Sequence, residues 1–126
     1  MENLDMKCAQ VGRDILSDVG RDKASDFENL ITKSLAVLQS QGIYACILFI
    51  QTQASKFKLP SERILEAVRK ILNDTGLYQM TEADWRNNTK RLQALQSISE
   101  DLLKYIMAKE LIDQVLVYAR YHAKAI

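Results

Sequence analysis

The chain has few places to interrupt a helix, with one proline and four glycines in 126 residues. A many-stranded sheet needs a turn signal about every 8–12 residues, so this scarcity argues against a sandwich or barrel. One histidine, His122, and two cysteines far apart, Cys8 and Cys46, leave no set of ligands for a structural zinc site. No metal and no cofactor is expected. The phosphate-cradling, dinucleotide, zinc-protease and C-x-x-C motifs are all missing, and the chain is not read as an enzyme. The longest apolar run spans 43–50, too short to cross a bilayer. The opening MENLDMKCAQVGRD has no basic leader ahead of an apolar run, so no signal peptide is read and the cytoplasm is the expected compartment. Charge of one sign is lacking too. Seventeen basic and 16 acidic residues give a formal charge of +1, so any nucleic-acid surface must come from local segregation of charge.

What is present is an ordinary globular composition, 48% hydrophobic and 26% charged, at a length usual for one domain. The expectation is a single all-α domain over 1–126, a compact bundle of five to six helices. Leu4, Cys8, Val11 and Ile15 form one apolar stripe, predicting a helix from about Glu2 to Val19. Gly12 lies within it as a candidate for close packing, and Gly20 reads as its C-cap. A second helix is expected from about Ala24 to Gln41, with Phe27, Leu30, Ile31, Leu35 and Leu38 on one face and Gly42 ending it. Segment 43–54 fits a buried strand by pattern alone. A central helix is preferred, because Ala45, Cys46, Gln51 and Gln53 dilute its β-branched content. After the loop 55–60, Ser61 reads as the N-cap of a fourth helix reaching about Asn73. Leu77 to Met80 is a short link over the core. From Thr81 onward lies one very long helix or two, striped by Leu92, Leu95, Ile98, Leu102, Leu103 and Ile106, with a break expected near Ala108-Lys109. Cys8 and Cys46 read as small buried hydrophobes in a reducing compartment.

Three basic groups are the candidate nucleic-acid contacts. Lys56 and Lys58 flank Phe57, followed by Arg63; Arg69 and Lys70 are adjacent; Arg86, Lys90 and Arg91 surround Trp85. The last group has cations for phosphate and an aromatic for stacking or anchoring, although Trp85 could equally fold onto the core. Near the end, Tyr118 and Tyr121 accompany Arg120 and Lys124, residue types favoured at protein interfaces. Trp85, Tyr118 and Tyr121 are therefore the candidate protein-contact residues.

The stretch Leu30-Ile-Thr-Lys-Ser-Leu-Ala-Val-Leu-Gln-Ser-Gln-Gly42-Ile-Tyr-Ala-Cys-Ile-Leu-Phe49-Ile resembles the small helical subunit of the type III-B CRISPR effector, the RNA-targeting Cmr complex. That family has a helix ending in a polar residue, glycine and an aliphatic residue, then an apolar helix with Phe and a nearby Lys. Gln41-Gly42-Ile43, Phe49 and Lys56 match these, with Gln41 where the family often has asparagine. Leu111 to Lys124 matches the family's amphipathic, aromatic-bearing helix before a basic, alanine-containing terminus. The resemblance implies a non-catalytic subunit stacked in copies beside guide-bearing backbone subunits. Its basic face would contact phosphates of guide and target RNA without reading sequence. The alternative from the residues alone is a helical protein-interaction or adaptor module with no nucleic-acid role.

Overall fold

In the computed structural model, which describes residues 3–126, short polar side chains open four of the helices. The Asn3 carboxamide accepts from the Met6 N–H to start α1 (Leu4–Ile15), and Thr81, Asn87 and Asp101 act likewise three residues ahead. Between these lie α2 (Arg21–Gln41), α3 (Ile43–Thr52) and α4 (Lys58–Asp74); α5 (Glu82–Arg86), α6 (Asn88–Ser99) and α7 (Leu102–Ala125) follow. The all-helical expectation holds, with seven helices among the described residues rather than five to six. The difference arises after Thr81, where one or two helices were expected and Asn87 and Asp101 each cap a new helix, so that three form.

The predicted ends move in several places. Gly20 is the N-cap of α2, not the C-cap of α1, which stops at Ile15, where the Arg63 guanidinium binds the carbonyls of Ile15 and Ser17. That side chain satisfies carbonyls a helix end otherwise leaves bare. Glu2, where the first helix was expected to begin, lies outside the described residues. Helix α4 starts at Lys58, not Ser61; Pro60 is accommodated in its first turn, where a missing N–H costs no helical bond, and Ser61 is buried inside it. Segment 43–52 is the preferred helix. Gly42 joins it to α2 at φ 99°, ψ −175°, a conformation open to glycine alone, with the Tyr105 hydroxyl against the position a Cβ would occupy.

Helix α7 is the axis of the bundle and packs along both α1 and α2. It runs antiparallel to α2: Lys124 meets Glu28 at 3.6 Å, Gln39 donates to Asp113 at 2.9 Å, and the Tyr105 hydroxyl accepts from the Ile43 N–H at 3.3 Å. Its inward face is short-chained at Ala108, Ala119 and Ala123. Helix α1 fits there because of Gly12, where an added Cβ would lie 2.7 Å from the Val115 carbonyl oxygen and 2.9 Å from the Ala119 nitrogen. Helices α1 and α4 are also antiparallel, joined by Lys7–Asp74 at 2.9 Å and by the Arg63 cap. One hydrophobic cluster draws residues from all seven helices, including Leu77 of the link.

The largest departure from expectation lies at the start of α7. The chain breaks at Glu100-Asp101 instead of near Ala108, and α7 continues unbroken to Ala125. The stripe through Leu92, Leu95 and Ile98 therefore does not continue inward. Leu102, Leu103 and Ile106 are 73%, 67% and 51% exposed. Asp101, at φ −111° and ψ 107°, leaves helical geometry and turns the following helix so that these side chains point away from the core.

Both cysteines are buried and free, as expected. Cys8 donates to the Leu111 carbonyl at 3.7 Å and Cys46 to the Ser34 carbonyl at 3.4 Å. Burial, with a smaller contribution from Asp5, pushes the Cys8 thiol from 9.0 to about 11, and burial alone pushes Cys46 to about 12.

Two outcomes follow. Gly12→Ala should cost about 1–3 kcal/mol by denaturant titration, because the atoms it meets are backbone and only helix displacement makes room. The thiols should resist a disulfide reagent in the native protein and react on unfolding. Their raised pKa values mean the unfolded chain loses those protons first. The associated stability is complete below pH 9.0 and falls as pH rises toward about 11 and 12. A Cys8→Ala/Cys46→Ala variant should show a shallower alkaline decline in the same titration.

Candidate nucleic-acid interface

Helical spacing decides which of the basic residues share a face. On α4, Lys58, Glu62, Leu65, Glu66 and Arg69 recur every three or four residues and lie on one side, whereas Lys70 turns toward α1 beside Arg63 and Asp14. The first side forms one wall of a cleft of about 510 Å³. Its other walls are the end of α3, at Gln51 and Ala54, and α5–α6, at Trp85, Arg86, Asn88 and Arg91.

The candidate cations are not equivalent. Arg69 is committed within the protein: its guanidinium grips the Glu66 carboxylate, donates to the Met80 carbonyl at 3.2 Å and lies 3.6 Å from Glu82. The hydrogen bond to Glu66 raises its already high pKa further. Lys90 pairs with Asp84 at 3.1 Å. Arg86 projects into solvent, its side chain 81% exposed, and reaches Glu82 only at 3.9 Å. Arg91 is only 4% exposed, its guanidinium 5.5 Å from the centre of the Trp85 ring, and it donates to Asn88 at 2.9 Å. Desolvation lowers its pKa. Lys56 and Lys58 are exposed at the entry to α4; Lys56 lies 5.3 Å from the centre of the Phe57 ring, and neither lysine has a carboxylate within ion-pair distance among the described residues.

Of the candidate cations, Arg86 and Arg91 line the cleft; Arg69 is tied to the lining residues Glu66 and Glu82, Lys90 pairs with Asp84, and Lys56 and Lys58 lie at the entry to α4 outside the lining. Lys70 faces elsewhere. Glu62, Glu66 and Glu82 share the lining, so the cleft carries both signs. A backbone phosphate has access to Lys56, Lys58 and Arg86, which are exposed, and not to Arg91 beneath the surface.

The candidate protein-contact residues separate in the same way. Trp85 is 2% exposed and its indole N–H donates to the Leu65 carbonyl at 2.7 Å, so its surface is spent inside the protein. The Tyr118 hydroxyl donates to Asp5 at 2.7 Å, and that hydrogen bond raises its pKa. Tyr121 is exposed. Three roles were missed in the sequence. Arg63 is a helix cap, Glu62, Glu66 and Glu82 temper the basic groups, and the start of α7 is an exposed apolar surface. Only the acidic residues had a local signal, since Glu66 and Glu82 lie three and four residues from Arg69 and Arg86.

Among the described residues no cluster of His, Cys, Asp and Glu suits a metal ion, and no helix is long and apolar enough to cross a membrane. The chain matches no protein-family model, no curated protein and no solved structure.

Trp85→Phe should lower stability by about 1–3 kcal/mol, because the buried site loses the indole bond to the Leu65 carbonyl and part of the ring that fills it. Arg91→Met should stay within about 1 kcal/mol of the parent or gain stability, since it removes a buried cation that has no carboxylate partner. Urea titration of the two variants checks both.

Proposed function

We propose that the protein is a non-catalytic small subunit of a type III-B CRISPR ribonucleoprotein effector. It stacks with the backbone subunits and copies of itself, and contacts guide and target RNA phosphates without reading sequence. The proposal starts from the likeness around Gln41-Gly42-Ile43, Phe49 and Lys56. The observation that carries it is the pair Lys56 and Lys58, exposed at the entry to α4 and without an ion pair among the described residues, together with Arg86, exposed on the lining of the cleft. Cations held tightly by carboxylates gain little by moving to a phosphate, so Lys56 and Lys58 are the ones that would contact RNA, joined by Arg86, whose pair with Glu82 is long at 3.9 Å and open to solvent. Arg69 and Lys90 are instead engaged by carboxylates of the α4–α5–α6 wall, and Arg91 lies buried against Trp85. Contacts of this kind neutralise phosphate charge and leave base edges unread.

A second reading, a helical adaptor with no RNA partner, is favoured by a different observation. The apolar side chains at the start of α7 are a protein-binding surface by character.

The test is a native pull-down of the tagged protein from its own host, with mass spectrometry of the proteins and sequencing of any RNA. The effector reading expects large backbone subunits and short RNAs of uniform length. Protein partners with no RNA above background would leave the adaptor reading. Lys56→Gln and Lys58→Gln should each reduce the slope of RNA retention against log salt by about 1 without altering the recovered proteins.

A further inference from the structure

Arg91 carries a charge that no carboxylate neutralises among the described residues. The residue is 4% exposed, its Nη1 donates to the neutral Asn88 carboxamide at 2.9 Å, and its Nε is buried without a hydrogen-bond partner. Ser34 and Ser61, the other buried polar residues among those described, are uncharged. A cation taken out of water without a counter-charge destabilises a fold, and the Trp85 ring, its centre 5.5 Å away, offsets only part of that. The lowest-energy remedy is an anion brought from outside.

Such an anion has a way in, because Arg91 lines the cleft of about 510 Å³ between α4 and α5–α6. Asn88, the first residue of α6, lines it too, so the positive end of that helix borders the same space. A ligand entering there meets a guanidinium already desolvated and already oriented by Asn88 and Trp85, which removes a cost that binding usually carries. The rest of the lining says which anion fits. Glu62, Glu66 and Glu82 also face the cleft; Arg69 answers Glu66 and Glu82, whereas Glu62 has no ion pair among the described residues. A polyphosphate, a nucleic acid or an acidic peptide would bring several negative charges past these carboxylates, and a single charge suffers least. Among single charges, a planar carboxylate matches the guanidinium fork. Ala54 and Leu65 give the cleft apolar lining for a short uncharged body.

We infer that the cleft binds a small monocarboxylate, with Arg91 as the counter-ion of its carboxylate and Glu62 turning away anions of higher charge. The inference goes beyond the RNA reading and holds whether or not the protein contacts RNA, which would use Lys56, Lys58 and Arg86 at the surface. A backbone phosphate, flanked by sugars, stays above Arg91; a carboxylate at the end of a narrow molecule reaches it.

Trp85 is the only tryptophan of the chain and lines the cleft, so its fluorescence reports on occupancy. The test is a fluorescence titration of the full chain, at constant ionic strength, with four probes: butyrate, its neutral counterpart butyramide, the dianion succinate and inorganic phosphate. Butyrate should saturate with a Kd of about 1–10 mM, the range open to a ligand of this size. Butyramide, succinate and phosphate should each bind about tenfold more weakly or worse. Arg91→Met, checked by circular dichroism, should weaken butyrate about tenfold or more, and Glu62→Gln should strengthen succinate about fivefold relative to butyrate. No saturable response to butyrate in the parent overturns the inference, as does a response that butyramide matches or that folded Arg91→Met leaves unchanged. Succinate or phosphate binding more tightly than butyrate overturns it too. Should Arg91→Met not fold, Glu62→Gln still decides, because a succinate affinity that ignores it removes the basis for a single charge. RNA recovery in the pull-down reports separately on the effector reading, so the failure of one does not imply failure of the other.

Discussion

The close approach of α1 to α7 at Gly12 is the contact on which the arrangement depends. Backbone meets backbone there, with room for a hydrogen and not for a methyl group. Alanines at 108, 119 and 123 keep the inward face of α7 low, so that both α1 and α2 pack on the same 24-residue helix. Dispersion between well-packed atoms falls off within an ångström or so, and a displaced α1 would forfeit contacts along its whole length. It would also carry away its link to α4, because Arg63 is held by carbonyls at the end of α1.

That frame positions the candidate interface. Helix α4, tied to α1 on one side, offers its other side to α5 and α6, and Trp85 inserts between them with its N–H satisfied by Leu65. The buried indole then supports Arg91 from below, while Arg69 joins α4 to the turn before α5 through the Met80 carbonyl. Arg69 thus serves as an internal brace, and Arg91 is taken up in the interior. The cations left for an anion at the surface are the exposed Lys56 and Lys58, which have no ion pair among the described residues, and Arg86, whose pair with Glu82 is long and solvent-exposed.

Much of this was legible in the chain. The stripe of α2, the stop at Gly42, the buried thiols and the close-packing glycine at position 12 all depend on residues within a few positions of one another, or on side-chain size. The capping residues Asn87 and Asp101 were equally local, and reading them as helix starts would have given seven helices. Trp85 and Tyr118 were harder. An aromatic beside cations looks the same in a sequence whether it faces solvent or the core, and the partner that decides lies 20 residues away in one case and 113 in the other.

What the sequence determined by itself is helical content, the approximate number of elements and the residues able to form a core, because these follow from spacing of 3–4 residues and from the scarcity of breakers. The tertiary structure alone decided which apolar stripe turned inward and which cations stayed free. Leu102, Leu103 and Ile106 have the same periodicity as Leu95 and Ile98, yet two non-helical residues between them reverse their direction. Periodicity defines a face of a helix but not its orientation. Orientation is set by the neighbours that helix meets, and those neighbours are distant in the chain.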